Sequence, residues 1–161
     1  MKAQRITVLA VLAFVACAAI LAGTVCKAQQ YNAPQPVAQA SVTMADVDNA
    51  LAKGPVFLEF ETASCHYCKE QHPISQKLAS DYAGKVTFFF VDANENHDLA
   101  HAFQVTSVPQ MDIIAGKTNG KYAYIDSNGA PSDSIGSSKI LGLTQSDVLS
   151  KALDAAVQYK K

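Results

Sequence analysis

ETASCHYCKEQHP, residues 61–73, sets Cys65 and Cys68 three positions apart around His66 and Tyr67. A pair spaced this way serves as a metal clamp, a structural staple, or a disulfide that is made and broken. The flanks narrow the choice. Upstream, VFLEFE (56–61) is a short apolar run of the kind found in buried central strands. Downstream, CKEQHPISQKLASDYAG reads as a helix ending at Gly84, with Pro73 kinking it about one turn beyond Cys68. A structural zinc site takes about four ligands, and beyond this pair only Cys17 and Cys26 remain, both in the N-terminal segment 1–28. His97 and His101 could share a helix face, but ENHDLAHAF reads as a solvated one. A staple is weak because closing so short a loop removes little unfolded-state entropy. The redox pair is the strongest reading, since C-x-x-C beside a strand–helix pattern is its signature. Two inert buried cysteines stand as its plain rival, and no metal site is expected.

The N-terminus belongs to a different business. Lys2 and Arg5 precede an uncharged apolar run from Ile6 to Val25, the form of a secretory signal. The run approaches the roughly 20 residues that span a bilayer. Residues 1–28 are therefore expected to be a signal cleaved after Ala28, with Cys26 and Ala28 as the small residues a signal peptidase reads. A retained membrane anchor through residues 6–25 comes second. Lipid modification of Cys26 comes third, because bulky Val25 occupies a position where a small residue is needed. All three place the chain outside the inner membrane, in a periplasmic or other extracytoplasmic space where disulfides persist.

Residues 29–41, with Pro34 and Pro36, read as a linker, and residues 42–161 as one domain. The 161-residue chain has a formal net charge of -1 and no basic stripe, which argues against nucleic acid. Thr43 and Asp46 have capping-box spacing ahead of a short helix with Met44, Val47 and Leu51 on one side. KVTFFFVDA (85–93) is a second buried strand, and NENHDLAHAFQ a short helix with Leu99, Ala102 and Phe103 inward. A third strand begins just after Pro109. GKTNG and SNG suggest hairpin turns. A last helix carries Thr144 and Asp147 as a capping box and a stripe of Val148, Leu149, Leu153 and Val157. The order αβαβαββα fits a mixed sheet between helices.

Cys65, at a strand-to-helix junction, meets free N–H groups and the positive end of the helix dipole, which favour a thiolate. Cysteines in such places have pKa values of about 3.5–7.5. Cys65 is thus the attacking sulfur, and Cys68, one turn deeper, resolves the mixed disulfide. A protonated His66 would add to the effect. In the strand expected over 56–61, Val56, Leu58 and Phe60 alternate against Phe57, Glu59 and Glu61. Glu59 reads first as a solvent-facing carboxylate; buried, it would have a raised pKa and could exchange a proton with Cys68.

The segment from Pro55 to about Ile114 resembles the thioredoxin superfamily. The Cys65–Cys68 motif carries the resemblance, with Lys69, Pro73, GKV at 84–86, VPQ at 108–110 and Gly142 before the last helix. It implies an α/β thioredoxin fold, a central mixed sheet of four or five strands with helices on both faces. It also implies a cis Pro109 packed against the cysteines and a Val108 backbone that pairs with the substrate chain. Glu59 falls where the family often has a buried, proton-moving acid. The departures are Ser64 where cytosolic thioredoxins place Trp, Gln110 where they place Thr, and Phe90 for a Lys that often pairs with the acid. His66 and Tyr67 match neither the reducing nor the oxidising dipeptide, and Tyr67 resembles the periplasmic isomerases. The stretch 117–140 is longer than in thioredoxin.

What this implies is a small exported thiol:disulfide oxidoreductase acting on cysteine-containing envelope proteins, coupled to a membrane thiol/disulfide electron donor or acceptor. No cofactor is needed, because electrons enter and leave as thiols. Its direction is open. The rival is a binding or assembly module that keeps the fold without turnover.

Overall fold

The computed structural model describes residues 41–159. The expected leader (1–28) and all but the last residue of the expected linker (29–41) lie outside the described residues. Among those described, no helix is long and apolar enough to cross a membrane.

Thr43 closes the first capping box, its hydroxyl taking the Asp46 N–H while the Asp46 carboxylate takes the Thr43 N–H. Helix α1 follows (Met44–Leu51) and buries Val47, Ala50 and Leu51. Strand β1 (Val56–Glu61) leads into α2 (His66–Asp81), which runs through Pro73. Pro73 has no N–H for the Lys69 carbonyl, so one rung of the helix is missing there. Next come β2 (Thr87–Asp92), α3 (His97–Ala102) and β3 (Gln110–Thr118). Then β4 (Lys121–Ile125), β5 (Pro131–Ser132), α4 (Ile135–Ser138) and β6 (Ile140–Leu141) precede α5 (Ser146–Gln158).

The strands form one six-stranded sheet in the order β2-β1-β3-β4-β5, with β6 pairing to β3. β1 and β2 are parallel; the other pairs are antiparallel. Two of the six strands are only two residues long, beyond the four or five that the resemblance implied. On one face Val56, Leu58 and Phe60 pack with Val47 and Leu51 of α1 and with Leu99 and Phe103. On the other, Phe57 packs with Leu78 of α2 and Leu149 and Leu153 of α5. Helices thus cover both faces, as expected.

Three local expectations shift. Ala102 is exposed, leaving Leu99 and Phe103 as the inward pair. The last helix starts at Ser146 without a side-chain cap, because Thr144 is engaged elsewhere. Its N–H donates to Gln71 Oε1 at 2.7 Å, and its hydroxyl donates to the Gly142 carbonyl. The stripe of that helix is Leu149, Ala152, Leu153 and Ala156, with Val157 exposed. The β3–β4 hairpin turns on Asn119 and Gly120, both at positive φ (52° and 77°), as a two-residue primed turn requires.

The long stretch 117–140 and the residues just after it anchor the α3–β3 loop at two points. Lys139 Nζ donates to the Gln104 carbonyl, and directly after β6 the Gly142 N–H donates to the Pro109 carbonyl.

Candidate active site

Cys65 is the N-cap of α2, and Cys68 sits in its first turn. The two are joined as a disulfide with a Cα–Cα distance of 5.3 Å. The Cys68 N–H donates to Cys65 Sγ at 3.1 Å, so one of the unpaired donors at the helix start already points at that sulfur. Cys65 is half-buried while Cys68 is 1% exposed. The outer sulfur also lies 3.6 Å from the Val108 carbonyl oxygen. The Val108–Pro109 peptide bond is cis, and Pro109 is buried. α2 and the loop before β3 therefore meet at Cys65.

The dipeptide between the cysteines faces solvent. Tyr67 is 59% exposed, and the His66 side chain is 81% exposed with Nε2 3.0 Å from Glu70 Oε1. His66 thus directs its ring nitrogen at a carboxylate on its own helix.

Glu59 is completely buried, on the sheet face that α2 covers. Neither of its carboxylate oxygens has a hydrogen-bond partner. Burial pushes its pKa up from 4.5 to about 8; the nearby Ser75 hydroxyl offsets part of the rise without reaching hydrogen-bond geometry, and the Glu61 charge adds to it. The first reading of Glu59 as solvent-facing is corrected. α2 lies over this part of β1 with buried Gln71 and Ser75, and these are bonded to each other.

Two further groups escaped the sequence. Glu61 Oε2 is 3.0 Å from His72 Nδ1, and the other ring nitrogen of His72 meets Gln76 Nε2 at 2.8 Å. His72 follows Cys68 by four positions, so the helical period alone would have put it on the same face. One carboxylate oxygen each of Glu59 and Glu61 and one ring nitrogen of His72 lie within 4.8 Å of one another. On the opposite face Asp112 is 1% exposed, and burial pushes its pKa to about 7. Gln110 Nε2 donates both to Asp112 Oδ2 and to the Phe103 carbonyl. A cleft of about 460 Å³ opens beside Cys68, with Glu61, His72 and Asp92 in its walls.

The thioredoxin family model matches residues 38–137. This chain belongs to the thioredoxin family. The thioredoxin of Staphylococcus aureus is 28% identical over 113 residues, spanning 70% of this chain and 92% of that one. Solved thioredoxin structures share the fold. A thioredoxin mutant from Halobacterium salinarum superposes with a TM-score of 0.55 at 19% identity, over 75% of this chain and 92% of that one. Oxidised mitochondrial thioredoxin 3 from Saccharomyces cerevisiae gives 0.52 at 22%, over 71% and 92%. With a thioredoxin domain and a Cys pair at disulfide distance, the protein is a thiol:disulfide oxidoreductase. In this thioredoxin-family domain β1 and α2 supply the cysteines and Glu59, and the loop before β3 supplies Val108 and Pro109.

Proposed function

We propose that this thioredoxin-family protein is exported and exchanges disulfides with cysteines of envelope proteins. Electrons pass to or from a membrane thiol/disulfide partner, and no bound cofactor takes part. Cys65 attacks the client's disulfide, and Cys68 then attacks Cys65 and releases the client. Glu59 takes the Cys68 proton, and Val108 with Pro109 shapes the groove in which the client chain lies. His66 and Tyr67, exposed at the rim, tune the pair and meet the client.

One observation carries the reading: Cys65 Sγ receives a helix-terminal N–H at 3.1 Å and stands beside the Val108 carbonyl at the surface. The N–H stabilises negative charge on the outer sulfur, the sulfur's place beside Val108 sets it where a client chain can reach it, and the inner sulfur is left to resolve. Export is supported by Lys2, Arg5 and the apolar run 6–25.

Reduction of insulin by dithiothreitol tests the chemistry. The wild type accelerates it, and Cys65→Ser abolishes the acceleration; equal inactivity of both would favour a binding module. Fusing residues 1–41 to a reporter active only outside the inner membrane tests export, and an inactive reporter would sink it. The equilibrium of the couple with glutathione sets direction, within a family range of about −270 to −120 mV.

A further inference from the structure

Glu59 must lose its proton again after each turnover, and it has no surface exposed to bulk solvent. Its strand neighbours offer no way out: Met111 stands opposite on β3 and Phe90 on β2. Phe90 occupies the position where the resemblance would have placed a lysine, and its ring packs on His72, with centroids 4.7 Å apart. Glu61 is the ionisable side chain whose charge reaches Glu59. It lies two residues along the same strand, bonded to His72. Both are about a quarter exposed and stand in the wall of the cleft that reaches Cys68. The other charged or titratable groups around that cleft are Cys68 and Lys69 on α2 and Asp92 on β2.

We infer that Glu61 and His72 form the proton exit of this site, the pair through which buried Glu59 exchanges its proton with solvent. The inference rests on the proposed proton role of Glu59. In the resolving step the Cys68 thiol gives its proton to the Glu59 carboxylate. Its sulfur bonds to Cys65, and the client's sulfur leaves with the electron pair of the broken disulfide. A neutral Glu59 acid remains. The 4.8 Å limit on the separations among the three groups is within the span of one bridging water. Glu61 accepts the proton and hands it to the cleft, and His72 holds Glu61 in place and shares the load. A neutral imidazole suits this, since one of its nitrogens donates while the other accepts. Gln76 fixes the ring from its far side. Neither residue is among the hydrogen-bond partners of the sulfurs; both are positioning residues for the proton and act through Glu59.

Stopped-flow measurement of the resolving step in the full chain tests this, at several pH values and buffer concentrations. His72→Ala and Glu61→Gln should each slow resolution about tenfold near neutrality in dilute buffer, less than loss of a group at the reacting atoms would. The equilibrium potential should stay unchanged, and added imidazole should restore the His72→Ala rate in proportion to its concentration. His72→Gln, which keeps a hydrogen-bonding side chain, should be as slow as His72→Ala, while exposed His101→Ala should match the wild type. Rates within twofold of wild type in both exit variants, with Glu59→Gln slow, would overturn the exit and leave the role of Glu59 standing. A Glu59→Gln protein as fast as wild type would remove both. Slow variants with a shifted potential and no imidazole response would reduce His72 to a structural part and overturn the inference.

Discussion

Glu59 sets function against stability. A carboxyl buried without a hydrogen-bond partner resists ionisation, with its pKa pushed up to about 8, so near neutrality a minority of molecules carry the carboxylate that can take a proton. Because the folded value lies above the unfolded one, the native state keeps a proton that the unfolded chain has lost. Stability from this group is complete below about pH 4.5 and is lost as pH rises to about 8. Glu59→Gln removes the ionisation, so it should stabilise the oxidised protein little at pH 5 and, on the order of 3 kcal/mol more, at pH 9. Urea unfolding at both pH values reads this, and equal effects at the two would contradict the burial argument. The cysteines were legible from sequence because their spacing has few other uses. The burial of Glu59 was not, since the alternation Phe57, Glu59, Glu61 looks the same on a wet face. What decides it is the cover laid over β1 by α2, a tertiary fact.

At the scale of elements, turns and caps were readable wherever the chemistry is local. Thr43 and Asp46 form their box as spaced. Thr144 does not, because Gln71 on α2 competes for its N–H. The hairpin at Asn119–Gly120 makes a sharp prediction. Gly120→Ala forces a side chain into φ +77° and should cost about 1 kcal/mol. β3 (Gln110–Thr118) rises about 3.3 Å per residue, which puts this turn roughly 30 Å from Pro109, so insulin reduction should not change. Gly54→Ala, between α1 and β1, should cost more. Its Cβ would lie 2.9 Å from the Lys85 carbonyl oxygen, a backbone atom that does not move aside cheaply. Denaturant midpoints of the two variants check both the values and their order.

Across the whole molecule, the two buried acids sit on opposite faces of one sheet. Asp112 pairs with Leu58, which belongs to the face covered by α1, while Glu59 lies under α2. With no shared partner their effects should add. The oxidised protein should therefore lose stability between about pH 5 and 8, where most proteins are near their best. Asp112, pushed to about 7, contributes over a lower part of that window than Glu59. Combining Glu59→Gln with Asp112→Asn should flatten the profile, and a profile still falling in the double variant would point to other groups. The mixed sheet and its order of elements followed from apolar runs separated by helical periods. The stretch 117–140 did not, because strands as short as Pro131–Ser132 and Ile140–Leu141 exist only through their partners. No local pattern announces that Lys139 and Gly142 reach back to the loop at Pro109.

The most direct test is the ionisation of Cys65 in the reduced protein. It is followed by thiolate absorbance as pH is raised, with Cys65→Ser subtracted to remove the other thiols. The helix-terminal N–H on its sulfur predicts a midpoint below about pH 7.5, together with rapid alkylation of Cys65 ahead of Cys68. A midpoint at or above the ordinary thiol value of about 8.5, with Cys65 slow to alkylate, would contradict the account.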